Sequence, residues 1–119
     1  MANINLDIIF PLPTATDPSP QPVVIPAYAV AKQFDRINWT VYAVNPAIAQ
    51  AEIEFAGALG FFGPSNKFKK SVNGKATIYA DVPDLNQTRP VGAKYTVRGL
   101  NAGNTIIAEI DPEIIVDEP

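Results

Sequence analysis

A chain of 119 residues with no cysteine and no histidine holds no disulfide, thiolate nucleophile, imidazole triad or imidazole- or thiolate-ligated metal. At 47% hydrophobic and 18% charged residues it has a globular composition and can form one core without staples, and no stretch reaches the roughly 20 unbroken apolar residues of a membrane-spanning helix. The net charge of −3 disfavours a polyanion partner, so no nucleic acid is expected; carboxylates, lysines, arginines, tyrosines and hydroxyls are left for chemistry.

Ile4, Leu6 and Ile8 alternate with Asn5, Asp7 and Ile9, which predicts a first strand ended by Pro11 and Pro13. Asp7 interrupts the apolar run and no basic residue precedes it, so a cytoplasmic protein, or one exported without a recognisable signal peptide, is expected. Residues 11–22 hold five prolines and read as an extended surface segment. Val23-Val24-Ile25, between Pro22 and Pro26, reads as a short edge strand. Ile37, Trp39, Val41 and Ala43 share one face of the clearest strand, and Trp39, the only tryptophan, is expected at the centre of the core. The sequon Asn38-Trp39-Thr40 lies in that strand, and with Asn86-Gln87-Thr88 it is read as a chance match.

Residues 45–62 allow two structures. Asn45-Pro46 suits a helix start, and Ile48, Ala51, Phe55, Leu59 and Phe62 would line a helical stripe. Ala51-Glu52-Ile53-Glu54-Phe55 alternates instead, and Gly57 and Gly60 interrupt a helix, so strand is the preferred assignment. Asn73-Gly74 predicts a type I′ hairpin joining Lys67–Val72 to Lys75–Val82. Asn101-Ala102-Gly103 predicts a second, joining Ala93–Leu100 to Asn104–Ile110. After Asp111-Pro112, Ile114-Ile115-Val116 makes a last short strand. The sum is a single all-β domain over residues 1–119: an immunoglobulin-like antiparallel β-sandwich of about seven or eight strands, with Greek-key connectivity.

The succession Ile37-x-Trp39, Ile53-x-Phe55, Tyr95-Thr96-Val97 and Asp111-Pro112-Glu113-Ile114-Ile115 resembles small bacterial stand-alone immunoglobulin-like domains. The resemblance implies that fold and lends no activity.

Four features bear on function. Lys67, Phe68, Lys69 and Lys70 interleave cations with an aromatic, which suits an anionic partner or, structurally, an edge strand blunted by lysines. Asp111, Glu113, Asp117 and Glu118 lack the spacing of a calcium loop, so calcium is not expected. From Lys67 to Arg98 there are seven basic and two acidic residues, and from Glu109 onward five acidic and no basic. That segregation suggests salt-sensitive head-to-tail contact between subunits. Phe61 and Phe62, within Gly57–Pro64, make an adaptable apolar loop or a plug for the sandwich end. Glu52 and Glu54 share a strand face as a glycosidase pair would, but that face is the solvent side opposite Ile53. The expectation is therefore no enzyme, no cofactor and no metal, but an interaction or assembly module with a protein partner or a second copy of itself. The alternative is a small-ligand or glycan-binding sandwich using Phe61, Phe62 and Tyr28.

Overall fold

The structure, a computed structural model, describes residues 2–55, 66–83 and 91–116. They form ten strands and no helix: β1 (Asn3–Phe10), β2 (Val23–Ile25), β3 (Tyr28–Ala31), β4 (Arg36–Ala43), β5 (Gln50–Phe55), β6 (Lys67–Ser71), β7 (Lys75–Asp81), β8 (Val91–Leu100), β9 (Ile106–Ile110) and β10 (Glu113–Val116). One sheet runs β2-β1-β4-β7; the other runs β3-β10-β8-β5-β6, with β9 also paired to β8. The fold is the expected all-β sandwich. Its sheets are mixed rather than purely antiparallel, because β1 lies parallel to β4 and β3 lies parallel to β10.

Alternation builds the core. Leu6, Ile8 and Phe10 from β1 and Ile37, Trp39 and Val41 from β4 face Ala51, Ile53 and Phe55 from β5 and Ala93, Tyr95 and Val97 from β8, all buried. Trp39 stands edge-on to Tyr95 at 5.7 Å between ring centroids, and its Nε1–H donates to Tyr95 Oη at 3.3 Å. The indole N–H thus keeps a partner in a dry interior, where an orphaned donor would cost about 1–3 kcal/mol. Tyr95 also stacks on Phe55 at 5.1 Å. Gly99 serves close approach: a Cβ there would fall 2.6 Å from both Ile48 Cδ1 and Phe10 Cε1.

Residues 50–55 are a strand, and the helix start at Asn45 goes no further than one turn. Asn45 Oδ1 accepts from the Ala47 N–H at 3.0 Å and its carbonyl from the Ile48 N–H at 3.2 Å. After that turn, Gln50–Phe55 pairs with β6 on one side and β8 on the other. Those ladders outweigh the local helical stripe. The second hairpin forms as expected between β8 and β9, its loop closed by Asn101 Oδ1 accepting from the Gly103 and Thr105 N–H groups.

The Asn73-Gly74 hairpin does not form. Gly74 has φ +82°, but Asn73 is not among the residues of positive φ, and a type I′ turn needs both. The chain instead changes sheets there: β6 pairs with β5 and β7 with β4. The register sets Ile78 beside Trp39 and Ala80 beside Ile37, which closes the core over β4. A hairpin would have paired β7 with β6 and left β4 without that neighbour. Burial decides against the local turn preference.

Candidate interaction surface

The chain passes between the sheets five times, and two of those crossings, β6 to β7 and β2 to β3, join an outer strand of one sheet to an outer strand of the other and form seams that differ in chemistry. At the first, β6 is the outer strand of its sheet and carries Lys67, Phe68, Lys69 and Lys70. The cations are engaged within the chain. Lys67 Nζ lies 3.8 Å and 3.6 Å from the carboxylates of Glu52 and Glu54. Lys69 Nζ donates to Asn104 Oδ1 at 3.1 Å, and Lys70 Nζ donates to the Thr77 carbonyl of β7 at 2.9 Å. Phe68 packs against the core. Three lysines on an outer strand are the arrangement that blunts a sheet edge, while Phe68 serves the core. Phe61 and Phe62 lie outside the described residues, as do Asp117 and Glu118.

Charges segregated along the chain are mixed in space. Arg98 Nη1 reaches Glu52 at 3.1 Å and Glu54 at 2.8 Å, and its Nε reaches Glu109 at 3.1 Å. These contacts follow from cross-strand register, which sets Arg98 opposite Glu52 on one side and Glu109 on the other. The Arg98 hydrogen bond holds the Glu54 carboxyl below its usual range. A general acid needs the opposite shift, so Glu54 is not set up as one, and both carboxylates are held in an ion network with Arg98 and Lys67.

The other seam is apolar. β2 is one outer strand of the four-stranded sheet and β3 the outer strand of the six-stranded sheet opposite β6, and Pro26 and Ala27 join them. Within β2, Val24 turns inward while Val23 and Ile25 stay 46% and 52% exposed. Within β3, Ala31 is buried while Tyr28 and Val30 stay 61% and 48% exposed. No charged residue occurs from Gln21 to Ala31. Tyr79, also exposed, is covered by the Arg36 guanidinium at 4.3 Å; among the described residues no cation stacks on Tyr28. At the end of β3 a turn closes by the Asp35 N–H bonding the Lys32 carbonyl, with Phe34 at φ 67° and exposed. The buried Asp35 carboxylate fixes that turn, accepting from the N–H groups of Ala2 at 2.8 Å and Lys32 at 2.9 Å. A phenylalanine in the left-handed region costs the fold about 1 kcal/mol or more against glycine, and at 54% exposure Phe34 regains only part of that by packing.

No family model and no curated protein matches this chain. Among solved structures, a pseudoazurin from Sinorhizobium meliltoi aligns with 100% of this chain and 76% of its own, at 16% identity and a TM-score of 0.43. The architecture therefore rests on the strand pairing described above.

A cleft of about 480 Å³ opens between the end of β5 and the middle of β8, lined by Glu54, Asn66, Lys94, Thr96 and Asp111 with the buried Phe55 and Tyr95. Its polar groups largely satisfy one another. Thr96 Oγ1 donates to Asp111 at 2.7 Å and Asn66 Nδ2 to the Phe55 carbonyl at 2.8 Å. Both rings are buried in the core, so neither turns a face to the cleft for sugar stacking. Tyr28, the aromatic expected to join such a site, sits instead on the apolar seam. Val23, Ile25, Val30 and Phe34 were not singled out from sequence. The available signal was the charge-free run from Gln21 to Ala31, which only the edge position of both strands turns into a surface.

Proposed function

We propose that this chain is a non-catalytic, immunoglobulin-like module that works by binding protein, either a partner or another copy of itself. One observation carries the reading: the β2–β3 seam presents Val23, Ile25, Tyr28 and Val30 on two outer strands with no charge between them. Unprotected apolar edges are otherwise selected against, because they template further pairing. The Trp39–Tyr95 pair at the centre of two packed sheets supports the immunoglobulin-like description, as does the resemblance along Ile37-x-Trp39 and Tyr95-Thr96-Val97. The test is solution mass by size exclusion with light scattering, together with capture of binding proteins on immobilised chain, for the wild type and a Tyr28→Ser, Val30→Ser double variant. Association or capture that the double variant loses while keeping its circular dichroism spectrum supports the module. A monomer whose captured proteins are the same for both chains overturns it.

A further inference from the structure

We infer that the partner at this seam is a second copy of the chain, joined through β3 in an antiparallel, two-fold pairing that continues the six-stranded sheet across the dyad; this rests on the seam being the binding surface. β3 pairs with β10 on one side, and among the described residues no strand pairs with its other side. Its four residues contain no proline, glycine or charge, so nothing in the strand blocks a neighbour.

The side chains are complementary to their own two-fold image. With Val30 on the dyad, side chains keep their faces: Val30 meets Val30 of the second copy, and Ala29 meets Ala31. Tyr28 meets Lys32, the first charge after the strand. Register across β10 already sets Glu113 beside Tyr28 and Lys94 beside Glu113. The pairing thus completes a row that reads Lys94, Glu113, the Tyr28 ring, then Lys32 of the second copy. Signs alternate, with an aromatic face receiving the incoming ammonium. The two copies of Lys32 lie four residues apart along the joint, on the order of 14 Å, far enough for water and salt to screen them. Moving the register by two residues, to set Tyr28 against Val30, would bring Pro26 opposite Lys32 and remove a donor from the ladder. Phe34, exposed in a left-handed conformation at the end of the same strand, is a second sign that this end is kept for contact rather than for stability. The joint is short, so affinity belongs in the micromolar range of small interfaces.

The cysteine-free chain makes the test clean. In Val30→Cys the two thiols would face each other across the dyad at a separation that antiparallel neighbours and disulfides share. Mild oxidation should give one covalent dimer in high yield, whereas Val23→Cys, equally exposed on β2, should cross-link at least tenfold less. Sedimentation equilibrium on the unmodified chain should show monomer and dimer in exchange. Val30→Lys, which sets two ammonium groups on the dyad, should abolish the dimer with an unchanged circular dichroism spectrum. Equal cross-linking at both positions, or a dimer that survives Val30→Lys, overturns the inference. A wild type that stays monomeric also overturns it; if that monomer still captures a protein which Val30→Lys loses, the binding module stands and only self-pairing falls.

Discussion

The two seams solve the same covalent problem with opposite surfaces. At the β6–β7 seam the chain leaves one sheet for the other with Lys67, Lys69, Lys70 and Lys75 along the way, and Lys70 caps a β7 carbonyl. At the β2–β3 seam it makes the same change of sheet with Val23, Ile25, Tyr28 and Val30 turned to solvent. Both enclose one core, so the difference is not demanded by folding. A sandwich can close its sides with lysines, as β6 shows; leaving β3 bare keeps that edge available for a strand.

The largest expected effect tests whether the seams share that core. Trp39→Ala should cost about 3–5 kcal/mol, read as a lower denaturant midpoint, and hydrogen exchange should speed in β3 and β6 together. Unequal loosening would mean that the seams belong to separate cooperative units. Arg98→Met acts on the charged half alone. It leaves Glu52, 8% exposed, beside Glu54 with Lys67 the one cation near among the described residues, and should cost about 1–2 kcal/mol after allowing for solvent on Glu54 and Glu109. Thermal melts would show it, and self-association should be unchanged. Acid reports on the same half. Arg98 depresses the Glu54 carboxyl and Arg36 depresses that of Asp81, each mainly by its hydrogen bond. Their contribution is fully present above the ordinary carboxylate range near pH 4 and is lost as pH falls through the lowered folded values. Burial raises the Tyr95 hydroxyl, so a second loss follows as pH rises beyond about 10. With no histidine, a midpoint that moved between pH 5 and 7 would contradict this assignment.

Much of this was legible in the sequence, for a definite reason. Period-2 alternation tells which face of a strand is buried, so the inward set on β1, β4 and β8 and the central place of Trp39 follow directly. Alternation is silent about which strand lies alongside and in which direction, so the parallel pairing of β1 with β4 was invisible, as was the sheet change at Asn73-Gly74. The same limit explains the charges. Their segregation along the chain gives no hint of the register that sets Arg98 between Glu52 and Glu109. Among candidate site residues, Lys67, Lys69 and Lys70 lie on an outer strand as the alternation suggested, and Phe68 packs on the core. The apolar seam was missed because exposure of Tyr28 and Val30 depends on β3 being outermost, a property of sheet order rather than of local pattern.

Phe34→Gly separates stability from contact at the apolar seam. Glycine adopts φ 67° without penalty, so the variant should gain about 1 kcal/mol in denaturant unfolding. If the phenylalanine is kept for association, the same variant should bind its own copy more weakly. A gain in stability with unchanged self-association would confine the contact to Tyr28 and Val30.

The smallest change in stability goes with the sharpest test of the comparison. Replacing Lys69 by Thr and Lys70 by Val makes β6 resemble β3. Both side chains are exposed and their hydrogen bonds are to a surface amide and one carbonyl, so folding should move by less than about 0.5 kcal/mol. The bare β6 edge should then pair, giving concentration-dependent association that Val30→Lys does not remove. If lysines are what keep β6 solitary, both edges of the six-stranded sheet become sites of growth and light scattering should register chains longer than dimers. A double variant that behaves as the wild type would place the protection in the twist of β6 toward β7, and the bareness of β3 would then cease to distinguish the two seams.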